Sequence, residues 1–532
     1  MLIGVSSYEK VKMRRTAVRL LLFLVLPVLG GCAVLPDNSN RSVTTTYTSV
    51  SNPVVDNIYA NAPRKGDNIS GFLLLDNGLD AFVARAVLAQ IAERSIDTQY
   101  YMIHGDAVGS LFVDQLLQAA NRGVRVRVLL DDINEGDRDF DIAIFDMHPN
   151  IEVRIFNPFG RNVGRLWQYV TGFGRQTRWA HNKSFTIDGK ATILGGRNIG
   201  DEYFSHNPEL DFQDLDVLAI GPVARETSDA FDRYWNHELS YPASVLFNEN
   251  IDRAEAEERK KRFEKRIASL TQSPYLQRLK NSDLARKMRD GKVHFEWGPG
   301  RVYVDPPDKL LHKVGDRSYQ MFTDLLPYLR NAREEIIIFS PYFVPGKEGV
   351  AFLAALRKKG VRVKILTNSL SSTDVSIVHA GYSRYRKDLL RAGVELWELN
   401  KTTSIEERKA RREGRIGSSK SSLHAKAFVV DRKTVFIGSL NLDQRSVSQN
   451  TEIGVLFEAP VLAQKIADEF EHHIDDAAFR VELKADEYGR ERLYWHGLVN
   501  GKRTTLDHDP YTSFLKRLGI SLMKWLPIES QI

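Results

Sequence analysis

Two histidines, two lysines and two asparagines recur in this chain at identical offsets. From His181 to Asn198 it reads HNKSFTIDGKATILGGRN, and from His424 to Asn441 it reads HAKAFVVDRKTVFIGSLN. In each copy a Lys follows the His by two positions and an Asp follows the Lys by five. A small pair comes next (Gly195 and Gly196; Gly438 and Ser439), and an Asn closes the pattern. These residue types suit a tetrahedral anion. A neutral imidazole can attack phosphorus while a protonated one hands its proton to the leaving oxygen. Lys183, Lys426, Asn198, Asn441 and the Ser439 hydroxyl can donate hydrogen bonds to the non-bridging oxygens, where charge accumulates. Such chemistry requires no metal and no cofactor. One His on a strand is ordinarily a satisfied structural residue, but recurrence of the whole pattern 243 residues later points to a shared pocket.

The elements that must position these groups can be read from periodicity. In each copy a β-rich apolar run is broken at Asp188 or Asp431, predicting strand, turn, strand. The two Asp belong to the candidate catalytic set, and equally suit a structural task at the turn. Upstream, residues 72–95 carry apolar positions at helical spacing. IDTQYYMIH follows as a strand, GSLFVDQLLQAANRG as a helix closing on Gly123, and VRVRVLLDD as a strand. EEIIIFSPYFVPG, GVAFLAALRKKG and VRVKILTNS repeat that order in the second half. The expectation is an α/β protein of two similar halves, each a mixed, mainly parallel sheet flanked by helices, related by a pseudo-twofold with the site at the seam. After each motif comes an acid, Asp214 or Glu452, that could orient a catalytic His through its second ring nitrogen.

The pair of motifs matches the H-x-K-x4-D-x6-G-[GS]-x-N signature of the phospholipase D superfamily, and the chain resembles that superfamily through both halves. The GGRNIGDEYF stretch from Gly195, GSLNLDQRS from Gly438 with NTEIG after it, and the final Leu526-Pro527-Ile528-Glu529 resemble bacterial cardiolipin synthases of the C type. That resemblance implies transfer of a phosphatidyl group through a phosphohistidine to a phosphatidylglycerol hydroxyl, with phosphatidylethanolamine as a possible second phospholipid and a small accessory protein as a partner. In duplicated members the amino-terminal His usually takes the nucleophile's role, which would fall to His181, with His424 as acid and then base. A phospholipase D-type hydrolase or headgroup exchanger would use the same intermediate, and an endonuclease of the superfamily is a further alternative.

The chain's ends add a cellular address. Lys10, Lys12, Arg14, Arg15 and Arg19 precede the apolar run from Leu20 to Leu29, followed by Gly30, Gly31 and Cys32, the one cysteine of 532 residues. The run is too short to span a bilayer and reads as an export signal. Leu-Gly-Gly-Cys resembles a lipoprotein processing site, with a simple secreted leader or an uncleaved anchor as the alternatives and either Met1 or Met13 as the start. Acylation at Cys32 would tether the chain in a bacterial envelope, facing the periplasm, at the outer or inner membrane. Loss of residues 1–31 removes five basic side chains and one acidic one, so the formal charge drops from +6 to +2. This weak balance disfavours nucleic acid as a partner, since a nuclease needs a broad positive field.

The expected organisation is a signal at 1–31, a flexible tether at 32–65, a first half at 66–250, a charged helical connector at 251–300, and a second half at 301–532 ending in an amphipathic helix. Three stretches could meet a membrane surface or serve local packing: the Arg- and Trp-bearing run from Arg161, the basic loop before His424, and the terminal helix with Phe514, Leu515 and Leu518 on one period.

Overall fold

The computed structural model describes residues 35–524 apart from 64–65, 134–137, 162–163, 166–167, 169–174, 176, 208–209, 248–251, 290–291 and 402–419. The export signal, Cys32, the terminal Leu-Pro-Ile-Glu and most of the basic loop before His424 therefore lie outside the described residues.

In the first half, β1 (Ile69–Leu75) leads into α1 (Gly78–Ile91), β2 (Ser95–Tyr100), α2 (Ala107–Asn121), β3 (Arg125–Asp131) and β4 (Ile151–Phe156). The first motif follows as β5 (Ser184–Ile187) and β6 (Ala191–Gly195), then β7 (Leu210–Gln213), β8 (Asp216–Ile220), α3 (Pro222–Trp235) and β9 (Ser240–Pro242). The second half runs β10 (Glu296–Val304), β11 (Glu335–Phe339), α4 (Gly346–Lys358), β12 (Arg362–Asn368), α5 (Ser376–Ser383) and β13 (Glu395–Leu399). Then come β14 (Lys420–Leu423), the second motif as β15 (Ala427–Val430) and β16 (Thr434–Gly438), β17 (Ile453–Glu458), α6 (Pro460–Ala477) and β18 (Ala478–Ala485). The capping residues explain where the crossover helices begin and end. Asp106 accepts from the Gly109 amide at the start of α2, and Gly123 (φ +92°) and Gly360 (φ +90°) turn α2 and α4 back toward the sheet in a conformation L side chains resist.

Strand order in the first sheet is β1-β8-β6-β5-β2-β3-β4-β9, and in the second β10-β17-β16-β15-β11-β12-β13-β18. The orders correspond strand for strand. An antiparallel β1–β10 ladder joins the two into one sheet. The sheets are mixed, as expected, but not mainly parallel: only β2-β3-β4 and β11-β12-β13 run parallel, because only these are linked by crossovers, and the motif hairpins enter antiparallel.

Two further expectations need correction. Residues 69–75, read partly as helix, form β1, because pairing with both β8 and β10 satisfies its backbone and buries both faces of an apolar run. Residues 35–62, expected to be part of a free tether, are packed along the first half. Thr46 donates to Asp232 and Asp97, Trp235 donates to Thr44, and the buried Arg127 guanidinium ties Asp97 and Asp232 together beneath them. Buried polar groups satisfied in this way, together with the buried side chains of Val50 and Val55, hold the segment in place. The connector does carry an exposed helix at Arg253–Leu270 with no buried residue, but its last residues, 296–300, already belong to β10.

The seam has its own apolar core, in which Leu194 and Val217 from the first half pack with Ile437 and Val455 from the second. Phe72 and Phe457 stack there with centroids 4.2 Å apart.

Candidate active site

His181 and His424 each sit in an extended segment just before a motif strand, and each segment is fixed by the other half. The His181 amide donates to Thr451 O at 2.9 Å, and the Thr451 amide to Trp179 O at 2.9 Å. In the mirror position β14 pairs in parallel with β7, and the His424 amide donates to Gln213 O at 2.8 Å.

The side chains cross the seam in the same way. His181 Nδ1 lies 2.9 Å from Glu452 Oε2, and His424 Nδ1 lies 2.6 Å from Asp214 Oδ2. Both acids proposed from position are thus brought to an imidazole, each belonging to the half opposite its histidine. With Nδ1 occupied on both rings, Nε2 is the nitrogen left for chemistry. Tyr101 packs edge-on against His181, and Tyr203 and Phe212 flank His424, all with centroids 5.1 Å away, so the rings have little freedom to tilt.

Lys183 and Lys426 are 2% and 1% exposed, and each ammonium donates to the carbonyl of its own motif His. Burial, with the neighbouring Lys426 charge, pulls Lys183 down to about 7 against the attraction of Glu452. Burial pulls Lys426 down to about 8. The same burial and the two ammonium charges hold His181 well below its ordinary range and lower His424 as well. The two acids diverge. Burial raises Glu452 to about 7 despite Lys183. Asp214, although buried, is held below the usual carboxylate range by His424, Lys426 and Arg197. Two buried ammonium groups beside the two imidazoles are an arrangement that suits a phosphodiester anion.

Three of the sequence assignments change. Asp188 and Asp431 do not reach the imidazoles; each lies seven residues on, at the far end of its motif strand, about 20 Å away if the chain is extended. Asp188 accepts from the amides of Glu93, Arg94 and Ser95 and from Asn52, and Asp431 from the amides of Arg333, Glu334 and Glu335. They fasten the starts of β2 and β11 to the motif hairpins, in left-handed conformations with φ +54° and +51°. Ser439, expected to face the phosphate, donates instead to Glu452. Its counterpart Gly196 leaves no such room, since a Cβ there would meet Asp214 Oδ1 at 2.3 Å. Asn198 is close to the site but its amide donates to Tyr203 at 2.9 Å. The buried carbonyl oxygens of Asn198 and Asn441 have no partner.

Sequence reasoning missed Asp305 and Lys309, a buried pair 2.9 Å apart. Asp305 also accepts from the Glu452 amide at 2.9 Å, so it stiffens the acid behind His181. No motif marks it. Tyr203, by contrast, lies inside the GGRNIGDEYF stretch. Of the Arg- and aromatic-bearing run from Arg161, Trp167, Tyr169 and Phe173 lie outside the described residues. Trp179 packs under Arg445, 3.7 Å from guanidinium to ring centroid, so it belongs to the seam. Among the described residues no helix is long and apolar enough to cross a membrane.

Residues 87–235 and 325–474 match the family described as cardiolipin synthase, phospholipase D-like domain, one match in each half. The chain is 42% identical to cardiolipin synthase C of Escherichia coli K12 over 86% of this chain and 95% of that protein. It is 26% identical to cardiolipin synthase A of Pseudomonas putida GB-1 over 76% of this chain and 67% of that one. Among solved structures it resembles a phosphatidylserine synthase of Haemophilus influenzae Rd KW20, with a TM-score of 0.55 at 12% identity, covering 90% of this chain and all of that one, a likeness of fold.

Proposed function

The chain belongs to the phospholipase D-like cardiolipin synthase family, and from that premise we propose that it is a phosphatidyltransferase that makes cardiolipin. The substrates of this reading are phosphatidylglycerol and a second phospholipid, which includes phosphatidylethanolamine. The observation that carries it is the pair of crossed His–carboxylate contacts, which supply two oriented imidazoles to one cleft.

In this reading neutral His181 attacks phosphorus through Nε2, forming an N–P bond as the P–O bond to the headgroup breaks. His424, protonated and held by Asp214, gives its proton to the departing oxygen. The acceptor hydroxyl of phosphatidylglycerol then loses its proton to His424 and attacks the phosphohistidine, restoring His181. Lys183 and Lys426 balance charge on the non-bridging oxygens. Turning the Asn198 amide over would let Tyr203 donate to its oxygen and free the NH2 for the phosphate, and Asn441 takes the equivalent place. The two acids support the division of labour: Asp214, the firmer anion, suits an imidazolium, and Glu452 accepts the Nδ1 proton of neutral His181, leaving Nε2 free to attack.

Lipid anchoring at Cys32, a periplasm-facing site and a small accessory protein complete the proposal. The test is transfer from radiolabelled phosphatidylglycerol. His181→Ala and His424→Ala should each abolish cardiolipin, and His424→Ala should trap phosphate label on His181. Label on His424 in the converse variant reverses the roles. Release of phosphatidic acid in place of cardiolipin makes the chain a hydrolase, and cleavage of DNA without lipid makes it a nuclease.

A further inference from the structure

The helix Phe514–Met523, α7, is unlike the others in what it leaves uncovered. Phe514, Leu515, Leu518 and Leu522 are 68%, 76%, 45% and 65% exposed. At 100° per residue these four fall within an arc of about 100°, while Ile520 on the opposite side is buried against Leu370 and Ala380. The helix is therefore docked by one face and presents an apolar ridge on the other. Between 514 and 524 the chain has Lys516, Arg517 and Lys524 and no acid.

Its place matters as much as its composition. Lys516 Nζ donates to Leu370 O at 2.8 Å, two residues from Asn368, whose side chain donates to Leu423 O and accepts from the Leu423 amide, both at 2.9 Å. Leu423 adjoins His424. From the other end of the same segment, Asp374 accepts from Tyr342 at 2.7 Å, and its charge is felt at Lys426. A short, hydrogen-bonded run thus links the ridge to the second half-site, with α5 packed between them.

We infer that the apolar ridge of α7 inserts into the interface of a bilayer bearing anionic phospholipid and seats the catalytic cleft against it. A partner of this chemistry is selected by the composition: four large apolar side chains enter the acyl boundary, and the net positive charge of a helix with three cations and no acid favours a surface that is anionic. An exposed apolar strip on a protein surface marks such a contact. The inference deepens the proposed activity and rests on it for its purpose, since a two-lipid reaction needs the cleft mouth at the lipid surface.

The chain's single cysteine makes the test direct. In a Cys32→Ser background, Leu518→Cys carries an environment-sensitive fluorophore, and the full chain is mixed with phosphatidylglycerol vesicles whose acyl chains are brominated. The 518 label should be quenched at least twofold, and a label at Glu258→Cys on the exposed connector helix should not. In a second arm, Leu515→Asp with Leu518→Asp should lower transfer on vesicles at least tenfold and transfer between short-chain lipids in detergent less than twofold. An unquenched 518 label, equal loss in both assays, or a ridge covered by a second copy of the chain overturns the inference. Quenching needs no turnover, so insertion without transfer refutes the proposed activity alone.

Discussion

Replacing Asp214 by Asn is the sharpest probe of the crossed arrangement. The side chain keeps its shape and an acceptor oxygen toward His424 Nδ1, but loses its charge. The contact is 2.6 Å long with side chains 8% and 0% exposed, so screening is small. A hydrogen bond to a charged group in such a setting is worth about 1.5–3 kcal/mol. At 1.36 kcal/mol per tenfold, that is roughly a 10- to 150-fold loss in kcat. The sign of the pH effect follows. His424 is already lowered by burial and Lys426, and Asp214 opposes that lowering, so its neutralisation moves the acid's titration further down. The activity optimum of Asp214→Asn should shift to lower pH, as fewer molecules carry the proton at neutrality. Initial rates of cardiolipin formation between pH 5 and 9, with the thermal midpoint measured in parallel, supply the test. Activity within twofold of the parent with an unmoved pH profile would refute the reasoning, as would a loss explained entirely by unfolding.

Asp188→Ala and Asp431→Ala should behave in the opposite way. Asp188→Ala strands three largely buried backbone amides at the start of β2, costing about 3 kcal/mol of stability, and Asp431→Ala, whose partner amides at the start of β11 are mostly exposed to water, costs about 1 kcal/mol; both lower the thermal midpoint while kcat per folded molecule stays within about threefold. Sulfate binding at pH 8 should draw protons from the buffer, because an anion raises Lys183 from about 7 and Lys426 from about 8; calorimetry in two buffers of different ionisation heat reads the uptake, and none at all would contradict the buried-lysine picture. Without ligand, Lys183 binds fewer protons folded than unfolded between about pH 7 and its ordinary value of 10.5. Its contribution to stability therefore rises with pH across that window and is flat above it. Gly196→Ala, whose methyl would strike Asp214, should lower kcat at least tenfold while the wild-type fold is retained by circular dichroism.

The candidate reactive groups were legible along the chain because chemistry and local periodicity are both written locally. Two imidazoles with matched lysines announce phosphoryl transfer whatever surrounds them. Alternating apolar residues around Asp188 and Asp431 can only be hairpins, and the glycines at 123 and 360 end their helices for steric reasons a sequence displays. Even the acids Asp214 and Glu452 could be picked out by position.

Their ownership could not. Glu452 is 271 residues from His181 and Asp214 is 210 from His424, and nothing local distinguishes an acid that serves its own half from one that reaches across. The same holds for Ser439, whose hydroxyl looks free until Glu452 arrives beside it, and for Asp305, an ordinary residue after a strand until folding buries it behind Glu452. Residues 72–75 carried helical spacing, yet became part of a strand because β8 and β10 offered backbone partners on its two sides. Composition and repetition along the polymer singled out the candidate reacting groups; only the closing of one half on the other decided which carboxylate holds which ring, because that pairing is set by distances in space that no spacing in sequence encodes.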